Sequence, residues 1–160
     1  MTTRDDTIRK LAANPRLAHQ VLFKHRHPDE TPDFHGEMVD LWYGPHPQVL
    51  TMAFRGSGKS TIAEEAVVTM ACLRMFKNCI ILGENEPRAI ERLTAIKHEL
   101  YTNEYLIDLF GHMIGPTDQE KKIVLSNGVV IQAFGRGQSL RGAKHLSARP
   151  DLAFGDGTDD

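Results

Sequence analysis

The sequence lacks most of the features that mark secreted proteins, membrane-spanning proteins and proteins stabilised by a bound metal. Its 160 residues include two cysteines, Cys72 and Cys79, and no Cys/His framework accompanies them. We therefore expect two reduced core residues and neither a disulfide nor a zinc site. No apolar run reaches the length of a transmembrane helix, and the first ten residues lack the apolar stretch of a signal peptide. We expect an intracellular chain with no membrane partner.

An excess of basic charge is also missing. The formal charge of -2 excludes a uniformly basic coat for nucleic acid, although it leaves room for a local basic patch. The hydrophobic share of 41% is enough for the core of one compact domain. The histidines have no spacing typical of a metal site. We expect the following at the surface: His25, His27, His35, His46, His98, His112 and His145.

Apolar spacing and turn residues predict alternating helices and strands. Pro15 interrupts a helical pattern over 4–26, which predicts two short helices, and residues 37–44 suit a third. Further predicted elements are helices over 60–76 and 87–101, strands over 48–54, 78–84 and 151–156, and a β-hairpin over 121–135 that turns at Asn127-Gly128. Strands that alternate with helices predict the α/β class with parallel pairing.

Residues 53–61, AFRGSGKST, follow a phosphate-binding pattern. The sequence G-x-x-x-x-G-K-[ST] is matched by Gly58, Lys59 and Ser60, while Ala53 replaces the first glycine. In such loops backbone N–H groups bind phosphate oxygens, the lysine reaches the β- and γ-phosphates, and the hydroxyl ligates Mg²⁺. The predicted ATP-binding residues are Arg55, Gly56, Ser57, Gly58, Lys59, Ser60 and Thr61. A Gly/Ser-rich turn that binds nothing is the alternative, but an apolar strand before it and a helix after it favour the nucleotide.

Two further charged residues suit the same chemistry. Arg55 is placed to stabilise charge on the γ-phosphate as an arginine finger from the same chain; a solvated arginine or a salt bridge is the alternative. Asp156 closes the apolar run 152–155 and suits the shell of Mg²⁺; an ordinary aspartate at a strand end is the alternative. The predicted metal residues are therefore Ser60 and Asp156.

The motifs FRGSGKS and SLRGAKHLSARPDLAFGD together resemble the ATPase domain of the terminase large subunit, the DNA-packaging motor of tailed bacteriophages. The likeness spans residues 35–160, and its matching positions are Arg55, Gly58, Lys59, Ser60, Arg141-Gly142, Arg149-Pro150-Asp151 and Asp156. The resemblance implies a P-loop NTPase of ASCE-like fold, with a mostly parallel sheet flanked by helices. It implies an ATPase domain over 37–160, and the residue pattern before it predicts an N-terminal helical and loop segment over 1–36.

The resemblance also implies ATP hydrolysis that drives DNA into a procapsid. The implied partners are double-stranded DNA, a portal protein, a terminase small subunit and further copies in a ring, in the host cytoplasm and transiently at the portal. The nuclease domain of such motors is expected to be absent, because four residues follow Asp156. Relatives usually place an acid directly after that aspartate. Here Gly157 follows, so Asp159 joins Arg55, Lys59 and Asp156 as a candidate catalytic residue. The alternative is a non-hydrolysing nucleotide-binding module that docks on a portal or terminase partner.

Residues 135–150 contain four arginine or lysine residues and no acid, which suits contact with phosphates irrespective of base sequence. The DNA-contact candidates are Arg136, Arg141, Lys144 and Arg149. A solvated linker is the alternative, and Arg141 is also a candidate nucleotide sensor at a subunit boundary.

Two more groups have open interpretations. Trp42, Tyr43 and Gln48 precede the first strand, where similar ATPases line an adenine pocket, and core packing is the alternative for the two aromatic residues. Residues 84–86 follow the second strand, where they could position a water molecule. Helix capping by Asn85 is the plainer interpretation.

Overall fold

The computed structural model describes residues 3–27, 33–45, 58–138, 143 and 149–155. The chain divides into two compact units, residues 1–69 and 70–160. The first unit contains α1 (Arg4–Ala13), α2 (Pro15–Leu22), a 3₁₀ turn (Lys24–Arg26) and α3 (Asp33–Tyr43). Helix α4 (Lys59–Cys72) contributes residues to both units.

The two short helices expected around Pro15 are confirmed. Asn14 caps α2, since its side chain accepts the N–H of Leu17, and Pro15 follows at the start of the helix, where no N–H is needed. Helix α2 packs on α1 and α3. Nε and Nη2 of Arg16 donate to the Asp40 carboxylate at 2.6–3.1 Å. The Arg16 guanidinium crosses α3 at Gly36, where a Cβ atom would lie 2.7 Å from it.

Helix α4 is confirmed, and it is buried on all sides rather than on one apolar face. Every side chain from Ile62 to Cys72 is buried, including Glu64 and Glu65 at 3% and 0% exposure. The helix also ends at Cys72 rather than residue 76. Arg74 adopts a left-handed φ of +54°, and the N–H of Met75 bonds to the Met70 carbonyl, which closes the helix.

The second unit is built on a five-stranded mixed sheet. Its elements are β1 (Asn78–Gly83), α5 (Glu86–Thr102), α6 (Glu104–Phe110), β2 (Thr117–Asp118), β3 (Lys122–Val124), β4 (Val130–Gly135) and β5 (Leu152–Gly155). The strand order is β2-β3-β4-β1-β5. Strand β1 lies between β4 and β5 and pairs in parallel with both, while β3 pairs antiparallel with both β2 and β4. The α/β class is confirmed, and the described sheet is mixed rather than mostly parallel because the hairpin adds antiparallel strands.

The predicted hairpin is confirmed at its turn. Gly128 has a φ of +88°, a conformation that favours glycine, and the Asn127 side-chain oxygen accepts the N–H of Val129. Behind the hairpin, α5 packs on β1 and β4. A Cβ atom at Gly83 would lie 2.6 Å from the backbone N of Ala89, so glycine lets α5 start directly over the sheet.

Both cysteines are free and buried, as expected. Burial raises the pKa of the Cys72 thiol to about 12 and also raises the pKa of Cys79. In the described part of the chain, no helix has the length and apolar character needed to cross a membrane. The predicted strand 48–54 lies outside the described residues.

Candidate functional site

The second half of the phosphate-binding pattern lies at the start of a helix. Gly58 has a φ of +82°, and its carbonyl accepts the N–H of Ile62 at 3.0 Å, so it stands directly before the first turn of α4. Lys59, Ser60 and Thr61 form that turn and are half-buried. The first N–H groups of a helix have no acceptor within the helix and carry the positive end of its dipole. This arrangement suits an anion.

A buried histidine lies against Gly58. A Cβ atom at this position would approach Cε1 and Nε2 of His35 to 3.3 Å. His35 itself is 8% exposed, so the prediction of a surface histidine is wrong at this position. The left-handed backbone at position 58 favours glycine, and the imidazole beside it leaves little room for a Cβ atom.

Several predicted site residues lie outside the described residues. They are Arg55, Gly56, Ser57, Arg141, Lys144, Asp156 and Asp159. The described members of the predicted sets are Gly58, Lys59, Ser60, Thr61, Arg136 and Arg149. The first four are consecutive at the start of α4, whereas Arg136 and Arg149 belong to the second unit and lie at opposite ends of its sheet.

Two adjacent carboxylates on α4 are buried, which sequence analysis did not predict. The Glu64 carboxylate accepts from Nη2 of Arg26 at 2.8 Å. The Glu65 carboxylate lies 2.8 Å from Nε2 of His27 and 3.2 Å from Nδ1 of His19. A buried carboxylate needs cationic or hydrogen-bonding partners to offset its lost hydration. The segment 19–27 supplies them, and it is thereby held on the helix that begins with Lys59.

Both ring nitrogens of His19 have a polar partner. Nδ1 of His19 lies 3.2 Å from Oε1 of Glu65, and it donates to that oxygen when the side chain is a carboxylate. Nε2 then accepts from the Tyr43 hydroxyl, at 3.0 Å, when the imidazole is neutral. His19 is 5% exposed. A chain of three polar groups therefore runs from Tyr43 through His19 to Glu65.

The same histidines border a cavity of about 90 Å³ in the first unit. Its walls include Arg16, His19, His27, His35 and Ile62. A space of this size holds several water molecules, and the polar side chains among its walls offer them hydrogen-bond partners.

The aromatic residues of α3 lie against apolar side chains. Trp42 and Tyr43 pack on the buried cluster of Met38, Val39 and Ile62. This supports core packing for both rings rather than a surface open to a base. Gln48 lies outside the described residues.

The carboxyl ends of the parallel strands meet at one edge of the sheet. Gly155 of β5 pairs with Leu82 of β1, one residue before Gly83. Asn85 follows, and its side chain accepts the N–H of Arg88 at 2.9 Å, so the capping interpretation is confirmed. Arg136 lies at the same edge, since its N–H donates to the Gly83 carbonyl at 3.0 Å. Ligands of open α/β sheets bind at this edge.

Glu86, at the start of α5, contacts the residue before β3 and the loop after β4 at that edge. Nζ of Lys121 lies 2.5 Å from Oε1 of Glu86, and the Gln138 amide donates to the other carboxylate oxygen. The Gln138 side chain also accepts the N–H of Gly135 at 2.6 Å. The hydrogen bond from Lys121 lowers the pKa of Glu86 below its ordinary 4.5.

The opposite end of β1 is organised by Asn78 and Asp151. The Asp151 carboxylate accepts the N–H groups of Lys77 and Asn78 at 2.8–3.1 Å, and the Asp151 N–H donates to the Asn78 carbonyl. Nδ2 of Asn78 donates to the Ala143 carbonyl at 2.8 Å, and Nε2 of Gln132 donates to the same oxygen at 2.6 Å. Asp151 of the R-P-D motif therefore begins the parallel β1–β5 pairing.

One signal in the sequence could have revealed the buried carboxylates. Glu64 and Glu65 interrupt an otherwise apolar helix, and the HRH triplet at 25–27 offers complementary partners. Within the described ranges, no group of three or more His, Cys, Asp or Glu is arranged to hold a metal ion. No protein-family model matches the chain, and no curated protein or solved structure matches it either.

Proposed function

We propose that the chain binds Mg-ATP at residues 55–61 and hydrolyses it as the ATPase domain of a viral DNA-packaging terminase large subunit. The observation that carries the proposal is the left-handed Gly58 directly before a helix that begins Lys59-Ser60. A phosphate-binding loop needs this geometry, because it turns backbone N–H groups and the helix N-terminus toward one point.

The proposed roles follow from the chemistry of each side chain. Lys59 offsets charge on the β- and γ-phosphates, and the Ser60 hydroxyl ligates Mg²⁺. Asp156 completes the metal shell, and Arg55 stabilises charge that develops on the transferred phosphate. Asp159 is the candidate that aligns the attacking water.

The parallel pairing of β1 and β5 supports the assignment of Asp156. Strand β5 ends at Gly155, beside Leu82, at the edge where ligands of open α/β sheets bind, and Asp156 is the next residue in the sequence. The ATPase domain over 37–160, a ring of copies on a portal, a terminase small subunit and a location in the host cytoplasm belong to the same proposal.

Calorimetry with the Lys59→Ala variant tests nucleotide binding. Loss of the ammonium group should weaken Mg-ATP binding at least tenfold, which is about 1.4 kcal/mol. The control is Lys10→Ala, an exposed lysine on α1 that removes the same charge elsewhere. Equal affinities of Lys59→Ala and the parent chain would reject the loop assignment.

A second candidate function is a nucleotide-binding module that does not hydrolyse ATP. Gly157 favours it, because the terminase ATPases that the sequence resembles usually carry an acid directly after the corresponding aspartate. Measured ATP turnover with and without duplex DNA decides between the two. Turnover that exceeds that of Lys59→Ala supports the motor, whereas tight binding without turnover supports the module.

A further inference from the structure

The hairpin turn between β3 and β4 contains the one Asn-Gly pair of the sequence, Asn127-Gly128. The backbone nitrogen of a residue that follows asparagine can attack the side-chain carbon Cγ, because the two atoms close a five-membered ring. Glycine hinders this attack least, since it has no Cβ atom and its backbone is the least restricted. The Asn127-Gly128 pair is therefore the place in this chain where such a reaction is chemically easiest.

The reaction consumes one water molecule and releases ammonia. A bond forms between the Gly128 nitrogen and Cγ of Asn127, and the bond between Cγ and Nδ2 breaks. Nδ2 leaves as ammonia and takes the proton of the attacking nitrogen with it. Water then opens the ring at either of its two carbonyl carbons, which leaves aspartate or isoaspartate at position 127.

Hydrogen bonds hold both reacting groups in the folded hairpin. The Gly128 N–H donates to the Leu125 carbonyl at 2.9 Å, so the proton that must leave is engaged. Nδ2 of Asn127 donates to the Ala71 carbonyl at 3.0 Å, and Oδ1 accepts the N–H of Val129 at 3.1 Å. Ring closure removes the Gly128 proton and expels Nδ2, so it has to break the bonds to Leu125 and Ala71.

The residue before Asn127 fixes the turn further. The Ser126 N–H donates to the Met113 carbonyl at 3.0 Å, and Oγ of Ser126 donates to the His112 carbonyl at 2.9 Å. The outer side of the turn is open by contrast. Gly128 is exposed, and a Cβ atom built there would have no atom of the described residues within 4 Å. The hydrogen bonds, rather than crowding or a lack of water, therefore limit the reaction.

We propose that Asn127 is a site of spontaneous deamidation that the folded hairpin protects. The reaction requires the turn to open, so its rate follows the fraction of chains in which this part of the structure is open. A chain that has not yet folded lacks the protection. The reaction uses only water and involves no nucleotide, so the proposal is independent of the function proposed above.

The product does not suit the place that Asn127 occupies. Ionised aspartate has no N–H group to donate, so its carboxylate would face the Ala71 carbonyl with acceptors on both sides. Ala71 lies in the last turn of α4, where the helix dipole is negative and disfavours an anion. Isoaspartate in turn adds an atom to the main chain of a tight turn. Refolding does not reverse either change, so a modified Asn127 weakens the contact between the hairpin and α4 permanently.

Peptide mapping by mass spectrometry tests the protection in the intact chain. The chain is kept at neutral pH, either folded or in concentrated guanidinium chloride, and samples are digested with trypsin at successive times. The tryptic peptide from Ile123 to Arg136 contains Asn127, and fragmentation separates conversion there from conversion at Gln132. Asn127→Gln is the matched control, because its longer side chain must close a less favourable six-membered ring.

We expect conversion at Asn127 to be about tenfold faster, or more, in the unfolded chain than in the folded chain. Asn127→Gln should stay unconverted at position 127 in both states. Equal rates for the folded and the unfolded parent chain would show that the hairpin gives no protection. An unfolded parent chain that stays intact at Asn127 would overturn the site itself.

Thermal unfolding of Asn127→Asp tests the effect of the product. The matched control is Asn85→Asp, which makes the same exchange at the start of α5, where the side chain accepts the N–H of Arg88 and a carboxylate suits the helix dipole. We expect Asn127→Asp to melt below the parent chain and Asn85→Asp to melt at or above it. A parent-like melting temperature for Asn127→Asp would contradict the loss of contact with α4.

Discussion

Nε2 of His27 lies within 2.9 Å of both carboxylate oxygens of Glu65, a residue with no exposure to solvent. The interaction joins the turn after α2 to the helix that starts at Lys59. Because Glu65 also contacts His19, one side chain fixes two points of the N-terminal segment. Loss of this carboxylate should therefore affect more than its own helix.

Replacement of Glu65 by alanine should strongly destabilise the chain. The change leaves His19, His27 and Arg26 in a buried site without their shared anion, and such losses cost about 3–5 kcal/mol. The free energy of unfolding in urea is the measurement. Glu91→Ala, which removes an exposed partner of Arg88, is the control and should change stability little. Similar stabilities of the two variants would contradict the role given to Glu65.

Replacement of Gly58 by alanine should weaken Mg-ATP binding as well as stability. The left-handed φ of +82° disfavours a Cβ atom by roughly 1–2 kcal/mol, and that atom would press on His35. Gly128→Ala is a matched control, because Gly128 has a φ of +88° at a hairpin turn and open space around it. We expect a comparable backbone cost for both variants, measured by thermal unfolding. Calorimetry should show weakened binding for Gly58→Ala alone, and parent-like affinity in that variant would count against the site.

Stability should fall in acid partly through Glu86. Its pKa is lowered by the hydrogen bond from Lys121, so the folded state binds a proton less readily than the unfolded chain. The stabilisation is present above the ordinary pKa of 4.5 and is lost as the pH falls through the lower folded value. The difference in unfolding free energy between the parent and Glu86→Gln should therefore shrink as the pH falls below 4.5. A difference that stays constant with pH would show that the pairing contributes nothing.

The two thiols should resist modification in the folded chain. The pKa of Cys72 is raised to about 12 by burial, so at a pH of about 8 roughly one thiol in ten thousand is the reactive thiolate. Titration with a chromogenic disulfide should detect almost no thiol under native conditions and two per chain in concentrated guanidinium chloride. Rapid reaction of the native chain would show that this part of the core opens readily.

Replacement of Asn78 by alanine should destabilise the second unit. Asn78 is fully buried, and the change removes the donor to the Ala143 carbonyl and the acceptor of the Gln132 amide. Lost buried hydrogen bonds of this kind cost about 1–3 kcal/mol. Differential scanning calorimetry provides the test, with Asn127→Ala as a comparison at a partly buried turn. A parent-like melting temperature for Asn78→Ala would contradict its role.

Local signals predicted the elements whose causes are local. Asn127-Gly128 fixes a turn through its own backbone preferences, and Pro15 and Pro87 suit first helical turns. The start of α3 was missed, because residues 33–36 read as a loop in sequence. In the structure Gly36 is helical, and its missing side chain leaves room for the Arg16 guanidinium.

The side-chain contacts that the sequence did not predict depend on partners that are distant in sequence. From the sequence alone, Glu64 is expected at the surface. Its burial depends on Arg26, which is 38 residues away in the sequence and lies beside it in the structure. Likewise, Asp151 reads as part of a motif, whereas its contacts with Lys77 and Asn78 span more than 70 residues. For the candidate site, the pattern predicted the turn at Gly58 and the helix after it. The contact with His35 could not be predicted, because nothing between residues 35 and 58 encodes their approach.

The hydrogen bonds of Asn78 also determine when the second unit can complete its fold during synthesis. Its partners Ala143 and Asp151 are synthesised 65 and 73 residues later. The side-chain amides of Asn78 and Gln132 therefore cannot form their hydrogen bonds to Ala143 until that residue has left the ribosome. The helices and the hairpin can form earlier from near neighbours. A nascent chain stalled before residue 143 would therefore hold a nearly complete sheet with polar groups unmatched in its interior, the kind of intermediate that chaperones bind.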